Sequence, residues 1–170
     1  MFLKVLEYNL KEISYAADVA QLSYSMNVHE SGIVLKLDGF NHKLPLLFQT
    51  IVQHFVNFEV TEQIFEVVKK QLSRVYRNCI IKPNKLVRSV RLSILQLVKW
   101  SIVEKEGAID SITLDDLKNF AISFKAQLYF ESLIQGNVTA AEAVSLQDHL
   151  YKMVDPSPLL PCFHPEVNAK

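Results

Sequence analysis

The chain has 170 residues, enough for one compact domain with a real core, and its 49% hydrophobic content excludes a wholly disordered protein. Lys plus Arg and Asp plus Glu both number 18, so the overall balance points neither to a nucleic-acid binder nor to an acidic tail protein. Cys79 and Cys162 are too few for a disulfide scaffold and have no neighbour at C-x-x-C spacing; read as free thiols, they favour a reducing compartment and a cytoplasmic location.

Leu3, Leu6, Leu10 and Ile13 recur at three- and four-residue spacing among Lys4, Glu7, Lys11 and Glu12, which predicts one amphipathic helix over about 2–18. Strict alternation follows, with Leu22, Tyr24, Met26 and Val28 on one side and Ser23, Ser25 and Asn27 on the other. Ile33, Leu35 and Leu37 alternate again after the short polar turn His29-Glu30-Ser31-Gly32, so the two runs read as an antiparallel hairpin ended by Gly39. The period then returns to helical: Leu44, Leu47, Phe48, Ile51, Val52 and Phe55 share a face, with Pro45 tolerated in the first turn. Thr61 caps a further predicted helix carrying Ile64, Val67, Val68, Leu72 and Val75, which stops near Lys82-Pro83. Another starts around Asn84 and uses Leu86, Val87, Val90, Ile94, Leu97 and Val98, followed by a polar stretch containing Gly107.

Thr113 and Asp116 have capping-box spacing ahead of Leu117, Phe120, Ala121 and Phe124. Gln127–Ile134, rich in aromatic and branched residues, reads as a third strand closed by Gly136-Asn137. Thr139 and Glu142 form a second capping box, opening a helix through Val144, Leu146, Leu150 and Met153. Pro156, Pro158, Pro161 and Pro165 preclude a regular element, so 155–170 is expected to be an irregular tail after a single domain over 1–154. The fold class is α+β: a small antiparallel sheet of about three strands covered by helices.

No catalytic constellation stands in the sequence. Zinc hydrolysis needs two His on one helix face beside a carboxylate, and neither His-x-x-Glu-His nor its inversion occurs. His29, His42, His54 and His149 stand apart, and His164 lies in the Pro-rich tail. Gly32, Gly39, Gly107 and Gly136 are isolated and build no phosphate cradle, and no Gly-x-Ser-x-Gly elbow presents a serine. Asn137-Val138-Thr139 matches a glycosylation acceptor, but turn followed by cap explains the same residues. No apolar run, Leu44–Phe48 and Leu159–Pro161 included, nears the ~20 residues of a membrane helix. The opening Met1-Phe2-Leu3-Lys4 soon becomes charged and amphipathic, so neither a secretory leader nor a membrane partner is expected.

The charge distribution is uneven. Between Val67 and Val103 there are nine basic residues, Lys69, Lys70, Arg74, Arg77, Lys82, Lys85, Arg88, Arg91 and Lys99, and no acidic one. That leaves nine basic residues against 18 acidic ones elsewhere, an electrically two-sided molecule. Lys70, Arg74 and Arg77 fall on one helical face and Arg88 and Arg91 on another. A solvated helical face explains this; so does a surface through Lys69, Lys70, Arg74, Arg77, Lys85, Arg88 and Arg91 that docks an acidic partner or polyanion. The lack of interleaved aromatics beyond Tyr76 argues against nucleic acid.

Three stretches carry a resemblance: Tyr15-Ala16-Ala17-Asp18-Val19-Ala20-Gln21-Leu22, Gly39-Phe40-Asn41-His42-Lys43-Leu44-Pro45-Leu46-Leu47-Phe48-Gln49, and Gln135-Gly136-Asn137-Val138-Thr139. They resemble the third domain of insulinase-family zinc metalloendopeptidases, above all the branch that cleaves at dibasic sites, and the similarity runs in one order through nearly all of 5–154. The resemblance implies one of four related α+β domains that enclose a peptide-sized chamber, in the half that lacks the metal. It therefore implies a non-catalytic module with no cofactor of its own, zinc being held by another domain of such enzymes. It also implies that a strand precedes the first helix in the family. The sheet here is thus expected to expose an edge through which the chain could pair with itself, or it could pair with a full-length relative. From Asp155 the resemblance ends, so the chain reads as a shortened, self-standing relative. A structural or interaction module is the leading expectation, a polyanion-binding module the alternative, and hydrolysis at an unrecognised site the third.

Overall fold

Leu10, whose backbone leaves the helical region (φ −88°, ψ 4°), divides the single predicted N-terminal helix into α1 (Phe2–Asn9) and α2 (Lys11–Val19). The break leaves the Leu10 side chain fully buried. The computed structural model describes residues 1–29, 32–96 and 99–155. Beyond α2 it contains β1 (Ser23–His29), β2 (Gly32–Asp38), α3 (Leu44–Val56), α4 (Glu62–Ile80), α5 (Pro83–Leu95), α6 (Ile102–Ile109), α7 (Leu114–Ala126) and α8 (Ala140–Val154). The expected α+β class holds: the described residues are mostly helical with one antiparallel sheet. Of the predicted turn between the strands, Glu30 and Ser31 lie outside the described residues, as do Leu97 and Val98 of the apolar stripe predicted from Leu86 onward and the tail from Pro156.

The chain forms two compact units, Met1–Val5 with Val60–Lys118, and Leu6–Glu59 with the described residues from Asn119 onward. In the first, α4, α5 and α6 pack on one another, and Phe2, Val5, Phe65, Val68, Ile109 and Leu117 are buried. In the second, β1 and β2 pair in unbroken register from Ser23 opposite Asp38 to His29 opposite Gly32. Leu10, Leu22, Met26, Leu47, Ile51 and Val52 are buried there, and α3 packs against α8. The chain turns from α2 into β1 through Gln21, at φ 57°, which lets the Leu22 N–H donate to the Ala17 carbonyl at 2.9 Å.

Three expectations need correction. Among the described residues the sheet has two strands, and within Gln127–Ile134 only Gln127 occupies a bridge position. This stretch is anchored by a side chain, Phe130 standing edge-on to Tyr151 with centroids 5.2 Å apart, while Leu133 is 91% exposed. Composition favours a strand there, but pairing requires a neighbour's peptide groups, which the two-stranded sheet does not extend to it. The polar stretch around Gly107 is a helix, α6, opened by a full Ser101–Glu104 capping box. Finally, of the apolar residues expected to line α5 on one face, Leu86 is half-buried, as are Ser89 and Leu92, but Val87, Val90 and Ile94 are exposed.

Candidate functional site

The basic residues singled out from sequence lie on two helices of the first unit. Helix α4 begins where the Thr61 hydroxyl accepts from the Ile64 N–H at 3.4 Å, satisfying one of the donors orphaned at a helix start. Its apolar stripe buries Phe65 and Val68, which turns Lys70, Arg74 and Arg77 to solvent. Helix α5 starts at Pro83, whose missing N–H costs nothing in the first turn. Lys85, Arg88 and Arg91 are exposed along it.

Structure separates these seven residues by role. Lys69 is only half-exposed and its Nζ donates to two carbonyl oxygens, Asp110 at 3.0 Å and Ile112 at 2.7 Å. Those carbonyls follow the C-terminal end of α6, where helical acceptors are left without partners and a cation is favoured. The same ammonium lies 5.5 Å from the Phe65 ring centroid. Arg77 Nε donates to Glu106 Oε1 on α6 at 3.1 Å. Both groups join α4 to α6, so they are fasteners of the unit before they are ligand contacts.

Lys70 and Arg74 share an open recess of about 330 Å³ with Lys69, Ser73 and Arg77. Glu66 and Asp110 also line it, so its field is mixed. Lys85, Arg88 and Arg91 do not line this recess. Seven of the nine basic residues of the acid-free stretch are therefore presented on two separate helices, with Lys82 between them and Lys99 beyond the second. Sequence reasoning passed over the partners that engage two of its cations. Glu106 and the α6 terminus were hidden inside a stretch read only as polar, although Ser101 three residues before Glu104 is the signal that finds the helix.

The remaining chemistry in the unit is structural. The Ser101 hydroxyl donates to Glu104 Oε2 at 2.8 Å and its N–H does so at 2.7 Å. These two bonds hold the Glu104 carboxyl below its usual range. The Ser89 hydroxyl accepts from the Ile102 N–H at 2.9 Å, fastening α5 to the start of α6. Burial pushes the Tyr76 phenol up.

In the other unit, Lys125 Nζ donates to the Val56 carbonyl at 2.7 Å, and burial lowers its pKa. His54 Nδ1 donates to the Thr50 carbonyl one helical turn earlier, at 2.9 Å. Among the described residues no three His, Cys, Asp or Glu side chains converge as metal ligands. The donor set present does not fit a zinc centre, which requires at least three such groups on one point. No helix among them is long and apolar enough to cross a membrane.

A model of the middle or third domain of peptidase M16 matches residues 1–108. Nardilysin of Mus musculus is 42% identical over 160 residues, covering 94% of this chain and 14% of that protein. Nardilysin of Rattus norvegicus is 44% identical over 156 residues, covering 91% of this chain and 13% of its own. Insulin-degrading enzyme of Homo sapiens is 31% identical over 166 residues, covering 95% and 16%. The chain thus spans about one seventh of the length of these relatives. Among solved structures, crystalline pitrilysin superimposes with a TM-score of 0.75 at 21% identity, over 91% of this chain and 17% of that one, a likeness of fold.

Proposed function

Because this chain belongs to the M16 peptidase family, as its middle or third domain and with nardilysin among its relatives, we propose that it is a non-catalytic structural module whose place in a full enzyme is a wall of the peptide-binding chamber. The observation that carries this reading is the family match over residues 1–108 together with 42% identity to a nardilysin across 94% of the chain. The engagement of Lys69 and Arg77 inside their own unit supports it, since these cations serve packing. On this reading the chain alone hydrolyses no peptide, holds no cofactor, and works in the cytoplasm beside a full-length relative.

Two assays test the proposal. The purified chain is incubated with dibasic peptides and zinc; turnover that copurifies with the chain overturns the non-catalytic assignment. Residues 1–154 are also exchanged into the matching segment of a nardilysin. Retained peptidase activity supports the wall role, and a folded, zinc-loaded but inactive chimaera sinks it.

A second reading, docking of an acidic partner or polyanion, is favoured by one observation. Lys70, Arg74, Lys85, Arg88 and Arg91 remain exposed on a stretch without a single carboxylate. Its measure is the salt at which the chain leaves a heparin column. Elution at low salt, or elution unmoved by Arg88→Ala and Arg91→Ala together, rejects it.

A further inference from the structure

Among the described residues no further strand pairs with either outer edge of the two-stranded sheet. His29 and Gly32 pair directly across a two-residue connection, which makes them a hydrogen-bonded pair of the hairpin. By alternation, Asn27, Ser25 and Ser23 also aim their peptide groups at β2, and Tyr24, Met26 and Val28 aim theirs away from it. No hydrogen bond from another segment of the described residues reaches those outward groups. Open peptide groups on a regular, unbulged strand are a template for another strand.

The chemistry of β1 specifies which strand fits. Read from either end about Met26, Ser23–His29 gives polar, apolar, polar, Met, polar, apolar, polar. An antiparallel partner of the same sequence places Met26 against Met26, Tyr24 against Val28 and Ser25 against Asn27, so every apolar side chain meets an apolar one on the same face. Val28 is the exception to burial along that face, 74% exposed while Met26 is buried, and the partner's Tyr24 would cover it. An aromatic residue opposite a β-branched one is a favourable cross-strand pair. Strand β2 lacks this symmetry. Centred on Leu35, it would set Val34 against Lys36 and Gly32 against Asp38, and Lys36 and Asp38 pair with each other at 3.3 Å on the exposed side. An edge lysine is a natural guard against pairing, and β1 has none.

We propose that β1 joins β1 of a second copy of this chain, antiparallel across a two-fold axis through Met26, turning two hairpins into one four-stranded sheet. About six backbone hydrogen bonds form, two at each pairing of Tyr24 with Val28 and two at Met26. The assembly closes on itself, so growth stops at two copies. It shares with the family reading only the expectation of an open sheet edge; the choice of β1 and of a second copy rests on the strand's register and near-palindromic sequence.

Sedimentation of the full chain from about 1 µM to about 1 mM reads the outcome, with the mass rising from one copy to two and no further. Val28→Lys places a charge on the joint, and Val28→Pro removes an outward N–H without touching the β2 ladder; each weakens dimerisation at least about tenfold. Val34→Lys, on β2, leaves it unchanged. Amide exchange supplies the second readout: Tyr24, Met26 and Val28 slow with rising concentration, and Ile33, Leu35 and Leu37 do not. A single copy at every concentration overturns the proposal. So does a dimer that survives Val28→Lys in a chain whose circular dichroism is unchanged, or one that protects β2.

Discussion

Replacing Lys69 by Met tests whether the sequence's basic run is a fastener or a docking surface. Met retains much of the aliphatic stem lying near Phe65 and deletes only the ammonium. That ammonium donates to the Asp110 and Ile112 carbonyls at 3.0 and 2.7 Å. A hydrogen bond from a charged donor contributes about 1.5–3 kcal/mol when well shielded, and Lys69 is only half-buried, so the pair together is worth roughly 2 kcal/mol. In a chain of this length that corresponds to a fall in melting temperature of roughly 4–8 °C. Lys70→Met, one residue on and fully exposed, changes stability by less than about 0.5 kcal/mol. Urea unfolding monitored by circular dichroism measures both variants side by side. Equal effects, or a Lys69→Met loss below about 0.5 kcal/mol, would refute the assignment of Lys69 to the α4–α6 joint.

Ile51, 2% exposed in α3, has no room to collapse around, and Ile51→Ala should cost about 2–5 kcal/mol in urea titration; a loss below about 1 kcal/mol would deny it a central place in its unit. Gly39 has φ +151°, and an added Cβ would collide with Leu22 Cδ2 and approach Leu22 Cα at 3.1 Å. Gly39→Ala therefore destabilises by about 2 kcal/mol, whereas Gly32→Ala meets no atom within 4 Å and carries only its backbone strain, so a Gly32 variant as damaging as the Gly39 one contradicts the steric account. Asp116 is held below its usual pKa by the Thr113 hydroxyl and then its N–H, and Glu142 by the Thr139 N–H and then its hydroxyl. Folded-state pKa values so depressed give stability that is full above the ordinary values of 3.8 and 4.5 and is lost as pH falls through the lower folded ones. Thr139→Ala should consequently lower the melting temperature at pH 7 and converge with the parent chain in acid; a gap that widens below pH 4 would reverse the sign and reject the capping account.

Local rules wrote much of this fold where the chemistry is short-range. The two hairpin strands announce themselves by strict alternation, and their observed register keeps Tyr24, Met26, Leu35 and Leu37 on one side. Thr61, Thr113 and Thr139 were legible as helix starts because a hydroxyl three residues before a backbone N–H makes the same bond in any context. Periodicity gave less where two solutions share one pattern. A stripe of Val87, Val90 and Ile94 can face a core or lie open, and only α4 and α6, which pack on the opposite side of α5, decide between them. The stretch from Gln127 to Ile134 failed for a related reason: β-propensity states what fits a pleated surface, but whether a strand edge is within reach is a long-range fact.

The basic site divides along the same line. Charge sign and helical face are set by sequence spacing alone, which is why Lys70, Arg74 and Arg77 were correctly placed together. Whether a cation is free depends on acceptors that are 29 to 43 residues away, Glu106 for Arg77 and the Asp110 and Ile112 carbonyls for Lys69. Backbone carbonyls are invisible to any reading of side-chain charge, since every residue owns one, and only the end of a helix makes them strong unpaired acceptors. A run of lysines and arginines opposite a helix C-terminus should accordingly be counted with that terminus as a partner. In this chain that count removes Lys69 outright and, with Glu106, Arg77. Of the seven residues proposed as a docking surface it leaves Lys70 and Arg74 of α4 and Lys85, Arg88 and Arg91 of α5, five exposed positions at which charge reversal should alter retention on a polyanion without loosening the fold.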